Sequence, residues 1–111
     1  MKIKFTGKYI VNSYTGGIDF YTIADGKDIT CKVTEEALQD ICPKNRFDNV
    51  KKQFLSNQSK LKKIAKEKIL NGDIHIDLPL RCVFITSSDV CPSVSDENYL
   101  HFLALHEFNK K

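Results

Sequence analysis

Little in this sequence announces a chemistry, and each absence closes a door. No apolar run approaches the ~18 residues of a membrane-spanning helix, so no helical membrane span is expected. The opening MKIKFTGKYI has lysines but neither an apolar stretch nor a small-residue cleavage site, so it does not read as a secretory signal. Cys31, Cys42, Cys82 and Cys91 are spaced like neither a zinc ribbon nor a C-x-x-C redox pair. Without a secretion signal they are expected as reduced thiols in a cytoplasm, Cys31 and Cys82 as small core residues. His101 and His106 stand five residues apart, which on a helix separates them too far to share a metal, and His75 is remote from both. Thr15-Gly16-Gly17 lacks the lysine and the following helix of a phosphate loop. Nothing local sets Cys82 or Ser88 beside a base, and the carboxylates Asp19, Asp25, Asp28, Glu35, Glu36 and Asp40 are not paired by spacing. The reading is therefore of a protein that is not an enzyme and carries no cofactor or metal. There is no internal repeat and no low-complexity segment.

What is present is an ordinary globular composition. The 111 residues are 41% apolar and 28% charged, which argues against disorder and for one modest core. Residues 1–90 read as a small domain, and 91–111 as a C-terminal helical extension of it. The expected fold is α+β, an antiparallel sheet of about four strands with two to three helices packed on it.

The strands come first. Lys2 to Val11 alternates around Ile3, Phe5 and Tyr9, with Gly7 as a bulge. Ile18, Phe20, Thr22 and Ala24 alternate with polar neighbours, Asp25-Gly26 is a tight-turn signal, and Ile29, Cys31 and Val33 share the next strand's inner face. Thr34 then reads as a helix cap followed by Glu35 and Glu36; Leu38 and Ile41 face inward and Pro43 ends the helix. A second, long helix is expected from an Asn45 cap to an Asn71-Gly72 stop. Ile74-His75-Ile76 could begin a strand that Pro79 interrupts or puts on an edge. Arg81 to Thr86 reads as a central strand with both faces covered.

The long helix concentrates the charge. Arg46 to Leu70 carries seven lysines and one arginine against Asp48 and Glu67, a net +6 in a chain of net +3. Phe47, Val50, Phe54, Leu61, Ile64 and Ala65 form one side at 100° per residue, with Lys68 near it and expected to snorkel outward. Lys52, Ser56, Ser59, Lys63 and Lys66 form the opposite stripe. Ammonium groups alternating with hydroxyls could follow phosphates, although no arginine or aromatic lies on the stripe to read or stack bases. In the extension, Ser95 to Phe108 reads as a helix with two apolar stripes. Tyr99, Phe102 and Leu103 suit the domain, leaving Leu100, Ala104 and Phe108 as a protein interface.

Three segments together, DFYTIADGKDITCKVTEEALQDI, VKKQFLSNQSKLKKIAKEKI and VFITSSDV, resemble the small bacterial family catalogued as domain of unknown function 1488. Gly26, Ile29, Cys31, Val33, Thr34, Glu36 and Leu38 carry the first block, Phe54, Ile64, Ala65 and Ile69 the second, and Ile85, Thr86, Ser88 and Asp89 the last. The chain departs from the family pattern in its lysine-rich helix face and in the tail after Cys91. The resemblance implies a compact α+β domain and brings no activity or catalytic residue. Three readings stand. One is an uncharacterised small bacterial cytoplasmic protein that acts by binding another protein chain or a second copy through the C-terminal helix. Another is a nucleic-acid accessory protein using the lysine stripe. An enzyme ranks last.

Overall fold

The computed structural model describes residues 1–42 and 48–90. The chain runs β1 (Ile3–Val11), β2 (Ile18–Ala24), β3 (Lys27–Val33), α1 (Glu35–Ile41), α2 (Val50–Ser56), α3 (Gln58–Leu70), β4 (His75–Asp77), β5 (Leu80–Ile85) and α4 (Ser87–Val90). The five strands form one sheet in the order β1-β2-β3-β5-β4. Every neighbouring pair is antiparallel except β3 and β5, which are parallel. The α+β expectation holds, with one more strand and one parallel pair. The parallel pair follows from the connection: after β3 and three helices the chain enters at the sheet edge as β4, and the β4–β5 turn reverses it so that β5 lies parallel to β3.

The first hairpins form as their residues dictate. The β1–β2 register slips between Phe5 and Tyr9, at Gly7 with φ +84°, so a bulge sits where glycine tolerates it. Asp25 (φ 49°) and Gly26 (φ 78°) supply both positive angles of the β2–β3 turn. Ile18, Phe20, Thr22 and Ala24 pair with Val33, Cys31, Ile29 and Lys27, and apart from Lys27 these side chains are buried on the helix-covered face. On the other face Asp19 is buried but satisfied, with Lys32 Nζ at 3.1 Å and Asn12 Nδ2 at 3.2 Å.

Thr34 caps α1 as expected, its Oγ1 accepting from the Ala37 N–H at 3.1 Å, and Leu38 and Ile41 are buried. Pro43, Asn45, Arg46 and Phe47 lie outside the described residues. The single long helix is corrected to two. Asn49 caps α2, its Oδ1 accepting from the Lys52 N–H at 2.8 Å, and the helix breaks at Asn57 (φ −123°, ψ 19°). The Asn57 amide Nδ2 donates to the Gln53 carbonyl at 2.8 Å, while its backbone N–H turns to Phe54 O at 3.1 Å. The side chain thus takes the acceptor that a continuing helix would give its own backbone. Leu61 N–H bonds Asn57 O at 3.1 Å, and helix resumes at once. α3 stops at Asn71-Gly72, with Gly72 at φ 74°.

The core lies between the sheet and the helices. Phe54 is its central ring, with centroids 5.0 Å from Tyr9 and 5.4 Å from Phe20. Leu61, Ala65 and Ile69 from α3, Leu38 from α1 and Val83 and Ile85 from β5 complete it. Cys31 and Cys82 are buried and free, and burial together with the neighbouring Cys82 pushes the Cys31 thiol up to about 12. β4 is an edge strand and β5 lies inside it, as read. The expectation that β5 is covered on both faces fails at Phe84, which is 46% exposed on the face away from the helices. Among the described residues no helix is long and apolar enough to cross a membrane. The extension 91–111 lies outside them.

Candidate functional site

The residues of the lysine stripe are solvent-facing and divided between two helices. Lys52 and Ser56 are exposed on α2, and Ser59, Lys63 and Lys66 on α3, with the Asn57 break between them. Lys52 is also within 3.8 Å of Asp48 in an exposed i,i+4 pair. The expected snorkelling of Lys68 is corrected as well. Its side chain is only 18% exposed and its Nζ lies 3.0 Å from Asp73 and 3.1 Å from Asp89. The paired carboxylates come from the loop after α3 and from α4, a meeting that helical periodicity does not register.

These groups line a polar cleft of about 420 Å³ with His75, Phe84, Thr86 and Ser88. Burial alone would lower the Lys68 pKa, but the hydrogen bonds and charges of Asp73 and Asp89 outweigh it and raise it. A lysine held protonated between two carboxylates is neither base nor nucleophile. Asp89 is occupied at the α4 start, where its Oδ2 accepts from Thr86 N–H at 2.8 Å and Thr86 Oγ1 at 3.2 Å. Ser88 Oγ shares a hydrogen bond with Thr86 Oγ1 at 3.0 Å. His75 sits edge-on to Phe84, centroids 5.8 Å apart. The cleft is a stabilised corner where β5 hands the chain to α4. Among the described residues no cluster of three or more His, Cys, Asp or Glu could hold a metal. His101, His106 and Cys91 lie outside them.

Two surfaces at opposite edges of the sheet carry unspent chemistry. At the β4 edge, Ile76, Leu78 and Leu80 are 60%, 71% and 60% exposed, Leu80 on the same face as the half-exposed Phe84 and Ile76 on the helix-covered face. Met1, Ile69, Ile74 and Ile76 line an apolar groove of about 190 Å³ there. The signal was in the sequence as Ile76-Asp77-Leu78-Pro79-Leu80, apolar residues alternating through a hairpin. The interface expected of Leu100, Ala104 and Phe108 lies outside the described residues.

The β1 edge is basic. β1 carries Lys4 and Lys8 and no acid. Lys8 of β1 and Lys62 of α3 line the same depression beside the Gly7 bulge, and Lys62 Nζ stands 5.7 Å from the Phe5 ring centroid. The sequence reading missed the β1 lysines, because they join the helix only through the fold.

Compared with curated proteins and with solved structures, the chain finds no match in either. One family matches residues 3–78, from the start of β1 into the β4–β5 turn, and so spans well over half of the chain. It is the family the turn, cap and core residues resemble, and the chain belongs to it: the family described as protein of unknown function (DUF1488).

Proposed function

We propose that this chain is a non-enzymatic protein that acts by binding another protein chain, with the β4–β5 hairpin as the contact and a second copy as the partner. One observation carries the reading: Ile76, Leu78 and Leu80 stand well exposed on a hairpin whose outer strand is at the sheet edge. Exposed apolar side chains at a sheet edge mark contact surfaces, and an edge strand offers backbone donors and acceptors to an incoming strand. The edge is also self-complementary. In an antiparallel pairing centred on Ile76, each copy's Asp77 faces the other's His75, the symmetric arrangement of a two-fold interface. We assign Leu100, Ala104 and Phe108 to the same interface, since residues 91–111 follow α4 in the chain and α4 shares a cleft with β4 and β5. The setting is the bacterial cytoplasm, a reading supported by free thiols at Cys31, Cys42 and Cys82.

Light scattering over a wide concentration range tests this. The wild type should double in mass as concentration rises. Ile76→Lys, exposed and therefore tolerated by the fold, should remain monomeric with unchanged circular dichroism. A wild type that stays monomeric at millimolar concentration would overturn the reading.

A further inference from the structure

We infer that the β1 edge is a binding lane for single-stranded nucleic acid, formed by Lys8 of β1 with Lys62 and Lys66 of α3 and ending at Tyr14. The lane is an assembly of two elements some fifty residues apart in the chain. Lys8 and Lys62 share one depression at the bulge, and Lys66 stands one helical turn beyond Lys62 on the same helix. The Phe5 ring under Lys62 holds that ammonium at the strand edge, where a flexible side chain would otherwise wander. The cations are lysines throughout. They act as point charges on phosphates and do not read bases in the bidentate way of arginine, so the lane is tolerant of sequence.

Tyr14 favours a single strand over a duplex. It is 99% exposed, yet it sits on an ordered turn at the tip of the β1–β2 hairpin. Asn12 Oδ1 accepts from the Tyr14 N–H at 2.9 Å and the Thr15 N–H at 3.3 Å, and Asn12 N–H bonds Gly17 O at 2.9 Å. A large ring held out on a fixed turn has little use in a monomer, and an unpaired base can stack on it where a paired one cannot. The lane lies at the opposite edge of the sheet from the β4 hairpin, so it stands or falls independently of the protein–protein reading.

Fluorescence anisotropy with a labelled oligothymidylate, titrated across salt, tests the lane on the full chain. Three phosphate contacts predict a slope of log K against log salt of about −2, falling to about −0.7 in the Lys8→Gln/Lys62→Gln double variant. Tyr14→Ala should weaken binding roughly tenfold and leave the slope unchanged, since stacking releases no counterion. All three positions are outside the core, and circular dichroism verifies that the variants fold. Absence of binding at low salt would overturn the inference. So would equal affinity for a duplex of the same length, loss of binding in Lys52→Gln/Lys63→Gln but not in Lys8→Gln/Lys62→Gln, or association with phosphatidylserine vesicles without oligonucleotide binding.

Discussion

Phe54→Ala is the substitution that most directly tests how the helices are held to the sheet. In α2, Phe54 is the one large apolar side chain fully buried, at 1% exposure, and its ring contacts Tyr9 and Phe20 at 5.0 and 5.4 Å. Those two rings belong to paired strands, Tyr9 directly opposite Phe20 in the register. Neither backbone can move in to fill the space without disturbing the ladder. Truncation therefore leaves most of its cavity open and forfeits two ring contacts, which puts the loss in the upper part of the usual range for Phe→Ala, about 4 kcal/mol. For a domain whose whole stability is about 5–15 kcal/mol, this is a large share, equivalent to a fall in melting temperature of roughly 10–20 °C. Chemical denaturation followed by circular dichroism reads it, with Leu55→Ala as the internal comparison. Leu55 neighbours Phe54 on the same helix and is 42% exposed, so its truncation should cost under ~1 kcal/mol. Equal losses in the two variants would refute the placement of α2 on the sheet.

Two further perturbations follow from the backbone and from the ion-paired corner. A Cβ at Gly26 meets nothing within 4 Å, so Gly26→Ala should cost only the strain of φ 78°, about 1 kcal/mol, whereas a Cβ at Gly17 runs into the Val33 carbonyl oxygen, so Gly17→Ala should cost roughly 2–3 kcal/mol; urea midpoints rank the pair, and the reverse order would contradict the close approach of β2 to the end of β3. Cys31 and Lys68 hold their protons more tightly folded than unfolded, so their contribution is complete below the ordinary values of 9.0 and 10.5 and is lost as pH climbs through the raised ones, about 12 for Cys31. Urea midpoints across alkaline pH should fall, and Lys68→Met should lose less between mid-alkaline and high pH than the wild type; an identical fall would show that the Asp73 and Asp89 contacts do not couple to folding.

Where the sequence was legible, a local rule and the global fold agreed. Asp25-Gly26 offers the angles a two-residue hairpin needs, and the β2–β3 register then follows from which residues are apolar. Thr34 caps a helix because the strand before it ends on Val33, inward-facing, and the chain must turn. The Asn57 break was not legible, since periodicity across Ser56 and Ser59 is preserved through a one-residue interruption. Only the polar run Ser56-Asn57-Gln58-Ser59 hinted that a side chain would compete with the backbone. Strand direction was illegible for another reason. Nothing in the apolar run Cys82 to Ile85 distinguishes a parallel neighbour from an antiparallel one; that is decided by the helical crossover and by the β4–β5 turn that reverses the chain into β5.

The surfaces follow the same division, and it decides which of them could be seen beforehand. A charge count along the chain finds Arg46 to Leu70, because those residues are contiguous, and assigns the field to one helix. In the fold the helix breaks, Lys68 is neutralised by Asp73 and Asp89, and Lys8 arrives from the far end of the sequence to line the same depression as Lys62. The positive surface is thus built by proximity, whereas the apolar one lies at an edge: Ile76, Leu78 and Leu80 read as ordinary apolar residues in the sequence, and their exposure appears only once β4 is placed at the end of the sheet. The two surfaces lie on opposite edges of one sheet, β1 and β4, separated by three strands. Because consecutive strands sit ~4.8 Å apart, that separation is close to 20 Å, too wide for a single substitution to disturb both through contact. Ile76→Lys should therefore abolish self-association and leave the oligonucleotide salt slope intact, while Lys8→Gln/Lys62→Gln should do the converse. Loss of both properties in either variant would mean that the edges are coupled, and that association is what builds the basic lane.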